Sequence, residues 1–80
     1  MSYGYSARTI HLNKEADHRR LGVALGRAAI ELGVSVSTVA VLLGVSRQTV
    51  YNWFVGSYDP KASLTGDATK LLTSFRKKLK

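Results

Sequence analysis

Eighty residues without a cysteine can hold neither a disulfide framework nor a thiolate metal site, and a chain of this length buries only about 60% of its unfolded surface on folding. Twelve Lys and Arg against five Asp and Glu leave a net charge of +7, which favours a polyanionic partner, nucleic acid ahead of an anionic membrane surface. No apolar run approaches the ~18 residues of a membrane span and no charged-then-apolar leader opens the chain, so a reducing, cytoplasmic setting is expected.

Residues 1–12, MSYGYSARTIHL, show no helical period. Tyr3, Tyr5, Thr9 and Ile10 suit extended backbone and Gly4 adds freedom, which predicts an extended N-terminal arm, either reaching DNA through Arg8 or forming a frayed tail or short strand laid over the core. From Asn13 a long helix is expected, because Asn is a good N-cap and Glu15 and Asp17 favour a first turn. Leu21, Leu25, Ala28 and Leu32 recur at i, i+4, i+7 and i+11 as its core stripe, and Gly33 closes it. Gly22 and Gly26, four apart, leave room for another helix of the same chain. Arg19, Arg20 and Arg27 lie off the stripe, in solvent or within reach of phosphate. His11 and His18 have no Cys or paired carboxylate nearby, so no metal site is expected.

The stretch VSTVAVLLGVSRQTVYNWFVG, residues 36–56, is the most informative. Val39, Ala40 and Leu43 share one face of a short helix that Ser35 can cap and Gly44 must end, since Gly reaches positive φ without steric cost. Val45 can turn back to the core and Ser46 is a good N-cap for a second helix. Val50, Trp53 and Phe54 form the apolar face of that helix, and Gly56 ends it. Gln48 and Asn52 stack on the opposite face, roughly 160° from Val50, with Thr49 and Tyr51 beside them and Arg47 in the first turn. Arg, Gln and Asn are the side chains whose donors and acceptors match base edges in the major groove of DNA.

These residues resemble the helix-turn-helix of the lambda-repressor-like (Cro/XRE-type) DNA-binding family. Ala40, Gly44, Val45, Val50 and Trp53 stand at the small, turn and core positions of that motif, and GVSRQTVYNW is especially similar. The resemblance implies an all-α bundle of about five helices containing the helix-turn-helix, with base reading by Arg47, Gln48, Thr49, Tyr51 and Asn52. Val36 stands where that family often carries a phosphate-binding Gln, so Ser35 or Ser37 would have to supply that contact. Thr38, Ser46 and the backbone at the helix starts are further phosphate candidates. So are Ser57, Tyr58 and Lys61, because the loop after the reading helix tends to follow the DNA backbone in that family.

Beyond Gly56 the sequence predicts a loop, then a short helical turn opened by Asp59 and Pro60 and running to Leu64. Thr65-Gly66-Asp67 would restart a last helix, with Ala68, Leu71, Leu72, Phe75 and Leu79 as its stripe and Arg76, Lys77, Lys78 and Lys80 complementing its dipole. Residues 57–80 hold six of the cations, so most of the charge lies outside the reading helix.

The five acids offer no pairing suited to acid–base work, and neither a phosphate-binding glycine loop nor a nucleophile–His pair is present, so an enzyme is not expected. The organisation expected is an arm over residues 1–12 followed by a helix-turn-helix domain over 13–80, with no cofactor, no metal, no small-molecule substrate and no membrane contact. Its partner is double-stranded DNA, bound by a homodimer, as in a small phage Cro-like repressor that acts by occupying an operator. The alternatives are a module docking on a protein such as RNA polymerase, which an exposed patch of Tyr51, Phe54 and Tyr58 would favour, and an accessory protein of DNA recombination or packaging.

Overall fold

The computed structural model describes residues 5–79, which form five helices and no strand: α1 (Ala7–Glu15), α2 (Leu21–Leu32), α3 (Val36–Leu43), α4 (Arg47–Phe54) and α5 (Ala62–Leu79). Tyr3 and Gly4 of the expected arm, and Lys80 of the last basic turn, lie outside the described residues. The all-α architecture is as expected. Three of its boundaries are not.

The first correction concerns the arm. Residues 7–12 are helical rather than extended, because Ser6 caps α1: its Oγ accepts the Thr9 N–H at 3.1 Å and lies 2.9 Å from the Thr9 hydroxyl. Tyr5, just ahead of the cap, is core rather than arm. Its ring stacks on Phe54 with centroids 6.3 Å apart, and its hydroxyl donates to the Val34 carbonyl at 2.6 Å.

The second correction is that the expected long helix from Asn13 is two helices. Asn13 is no N-cap; it sits fully buried near the end of α1, and its amide donates to the carbonyls of Val23 (3.1 Å) and Phe54 (2.8 Å). Two facing carbonyls fix the amide orientation, because a flipped Asn13 would set its oxygen against both. Asp17 breaks the chain instead of starting a helix. Its carboxylate accepts from the Arg19 backbone N–H at 2.9 Å and from the Arg19 guanidinium at 3.0 and 3.1 Å, closing a turn between α1 and α2. His18 Nε2 lies 2.8 Å from the Asn13 carbonyl. A carbonyl can only accept, so His18 Nε2 is the donor in this contact.

Gly22 and Gly26 do what their spacing suggested. They sit buried in α2 directly under α4, where an added Cβ would lie 2.7 Å from Trp53 Cβ and 2.6 Å from Phe54 Cγ. Glycine here lets α4 approach α2 along its backbone. Trp53, Phe54 and Val50 bury between α2 and α3 with Leu25, Ala29 and Val39, and the other flank of α2 packs most extensively on α5 through Ala68, Leu72 and Phe75.

The third correction is that residues 62–79 are one helix. Asp59 does not open a turn to Leu64; its carboxylate is taken by Arg20 Nε at 2.8 Å, while Arg20 Nη1 donates to the Gly56 carbonyl. Arg20 is therefore a strut for the α4–α5 loop rather than a free surface cation. Arg27 likewise pairs with Glu31 on α2 at 2.9 Å. Gly66 does not interrupt α5, because burial of Ala68, Leu72 and Phe75 outweighs the roughly 1 kcal/mol a helical glycine costs.

Candidate nucleic-acid interface

The α3–turn–α4 unit forms for local reasons. Gly44 adopts φ 69°, and the N–H of Val45 reaches back to the Ala40 carbonyl at 3.0 Å, satisfying the end of α3. Val45 then packs half-buried against the core and Ser46 starts α4 at once. Gly56, at φ 85°, ends α4 in the same way. The Ser57 N–H bonds to the Asn52 carbonyl at 2.9 Å, which turns the loop back beside α4.

Helix α4 is two-faced. Val50 and Phe54 are fully buried and Trp53 nearly so, whereas Arg47 and Gln48 are exposed and Thr49, Tyr51 and Asn52 half-buried. Gln48 Nε2 donates to Asn52 Oδ1 at 3.2 Å, so the two amides form one continuous polar ridge along the outer face. Among the described residues Arg47 has no acidic partner.

A groove runs along each side of this ridge. One, of about 560 Å³, lies between α4 and the α4–α5 loop and brings Thr49 and Asn52 together with Tyr58, Lys61 and Leu64. The other, of about 610 Å³, lies between α4 and the starts of α1 and α3, where Tyr5, Ser6, Thr9 and Val36 face Arg47, Gln48 and Tyr51. Ser46 lines both grooves. The structure thus divides the expected base readers, Thr49 and Asn52 to one flank and Arg47, Gln48 and Tyr51 to the other, with the Gln48–Asn52 hydrogen bond joining the two.

Of the expected phosphate contacts, Tyr58 and Lys61 are exposed beside the first groove and Ser57 is exposed next to them. Ser35, Ser37 and Thr38 stand at the start of α3, where Val36 but none of these three lines the second groove. The serines at the helix starts are engaged: Ser35 Oγ accepts the Thr38 N–H and Ser46 Oγ the Thr49 N–H, each at 3.1 Å. Each Ser hydroxyl also lies within 3.0 Å of the Thr hydroxyl three residues on. Such a pair has two O–H protons and uses at most one between its members, so each cap keeps a donor to offer an anion. No acid occupies the first turn of α1, α3 or α4, which leaves the positive ends of those helices uncompensated.

Ser6 and Thr9 are the residues that sequence reasoning missed. Their signal was present: Ser-x-x-Thr occurs at 6–9, 35–38 and 46–49, and all three copies cap a helix. The exposed aromatic patch expected of a protein-docking module is not formed, because Phe54 is fully buried. Among the described residues no helix is long and apolar enough to cross a membrane.

Residues 15–55, just over half of the chain, match the family model of the homeodomain-like domain. That span runs from the end of α1 through α2, α3 and α4, the three helices that hold the ridge. The matching type is homeodomain-like, not the lambda-repressor-like one that GVSRQTVYNW resembles. Neither a curated protein nor a solved structure matches the chain. The chain belongs to the homeodomain-like helix-turn-helix family of DNA-binding domains.

Proposed function

We propose that the protein reads a specific sequence of double-stranded DNA by inserting α4 into the major groove. The observation that carries this is the Arg47–Gln48–Asn52 ridge, exposed at Arg47 and Gln48 and half-buried at Asn52, between two grooves lined by hydroxyls, Arg47, Lys61 and an Asp59 carboxylate already paired with Arg20. A ridge entering the major groove is bordered by two sugar–phosphate backbones. The hydroxyl-bearing caps Ser46 and Ser35, with Ser37 and Thr38, take one strand, and Ser57, Tyr58 and Lys61 take the other. Gln48 or Asn52 pairs with adenine N6 and N7, Arg47 with guanine or a phosphate, and Thr49 and Tyr51 contact the flanking bases.

One such helix spans few base pairs. The reading therefore includes a homodimer on half-sites about 34 Å apart, acting by operator occupancy in the manner of a small Cro-like phage repressor.

Selection from a randomised duplex library, followed by sequencing of the retained DNA, tests this. A two-fold symmetric site is expected, and Gln48→Ala or Asn52→Ala should each cost about 1–3 kcal/mol while relaxing preference at one base pair. Equal weakening on every sequence would reject base reading by the ridge.

A further inference from the structure

One surface is not used by the DNA reading. On the outer side of α3, Val41 is 81% and Leu42 58% exposed, the two most exposed large aliphatic side chains among the described residues. Half-buried Leu43 and Leu71 continue the apolar surface across to α5, flooring a groove of about 430 Å³. Asp67, Lys70 and Ser74 of α5 form its rim. A single exposed aliphatic residue needs no explanation, but a contiguous strip with charges at its edge has the layout of an interface.

The charges indicate the occupant. Asp67 and Lys70 lie three residues apart on α5, and neither forms an ion pair among the described residues. In a two-fold interface the same patch meets itself, so residue i faces j and j faces i. A patch with one acid and one base on its rim is complementary to its own copy. In such a pairing each copy's Asp67 would face the other's Lys70, with Leu42 over the groove. We propose that this α3–α5 strip is the surface through which two copies of the chain pair, with the ridge of α4 left free on each.

Size sets the strength. A stable interface takes about 800 Å² from each partner, roughly a sixth of the 4967 Å² exposed by this chain. Two exposed side chains and a shallow groove supply less, so the pairing is weak in free solution and is reinforced when DNA holds two copies on neighbouring half-sites.

The inference rests on the dimeric part of the proposed function but is tested without DNA. Sedimentation equilibrium of the full chain at high concentration should show self-association that Leu42→Glu or Asp67→Lys weakens by at least about tenfold. The double exchange Asp67→Lys with Lys70→Asp should restore most of it. Leu42, Asp67 and Lys70 are all exposed, so circular dichroism should show unchanged helix content in every one of these variants. A chain that stays monomeric, or self-association indifferent to Leu42→Glu and Asp67→Lys, would overturn the proposal. On a selected duplex, the same variants should lose cooperativity between two half-sites while keeping wild-type affinity for one. Strip-dependent self-association together with sequence-blind DNA binding would instead sink the base-reading role and leave the pairing surface standing.

Discussion

The same substitution, Gly→Ala, should have opposite effects at two helical positions. At Gly22 an added Cβ would lie 2.7 Å from Trp53 Cβ, 3.1 Å from its carbonyl oxygen and 3.2 Å from its Cα. Carbon atoms prefer about 3.5–4.0 Å, so α4 must retreat by about 1 Å as a body, since two of these three neighbours are backbone. Overpacking of this kind costs about 1–3 kcal/mol, and the alanine returns roughly 0.5–1 kcal/mol of backbone entropy, leaving a net loss of about 1–2 kcal/mol. At Gly66 nothing lies within 4 Å of the added Cβ and the backbone is ordinary α-helix, so only the gain of about 0.5–1 kcal/mol remains. Urea unfolding followed by helical circular dichroism reads both, as midpoint shifts of opposite sign at unchanged slope. A Gly22→Ala protein as stable as the parent would show that α2 and α4 are not held at backbone contact.

Three further outcomes are expected. Asn13→Ala removes both donors from the Val23 and Phe54 carbonyls in a fully buried site and should cost about 2–3 kcal/mol in the same assay; a loss under about 1 kcal/mol would mean that the carbonyls find other partners. Burial pushes the Tyr5 phenol well above its ordinary value, so the folded state favours the protonated form. That stability is complete below the unfolded phenol's value of about 10 and is lost as pH rises beyond it, so the parent's urea midpoint should fall more steeply above about pH 10 than that of Tyr5→Phe. Arg20→Ala releases both Asp59 and the Gly56 carbonyl; it should cost about 1 kcal/mol and speed amide exchange across residues 55–61, and unchanged exchange there would remove Arg20 from its strut role.

How far the fold could be read from the residues depended on how local the deciding interactions are. The unit from Ser35 to Gly56 was legible because its caps, its left-handed glycine and its apolar spacing all act within a few residues of one another. The α1–α2 boundary was not. The buried positions of α1 are Thr9 and Asn13, polar residues that conceal a helical period, and Asn13 is stabilised there by a carbonyl 41 residues away. In α5 the local Thr-Gly-Asp signal argued for a break, and tertiary burial overrode it. At the interface the ridge residues could be named from helical angles alone. Their division between two grooves depends on where α1 and the α4–α5 loop come to rest, which no spacing along the chain encodes.

The packing of α2 also bears on the order in which the molecule is made. Residues 15–55 contain the reading unit, yet the flank of α2 turned away from Gly22 and Gly26 is covered by α5, whose buried residues begin only at Ala68. A nascent chain that has emerged as far as α4 already holds the ridge but leaves that flank of α2 wet. Because these partners are more than thirty residues apart, their closure is a late, non-local event. Until α5 docks, the reading helix rests on half a core.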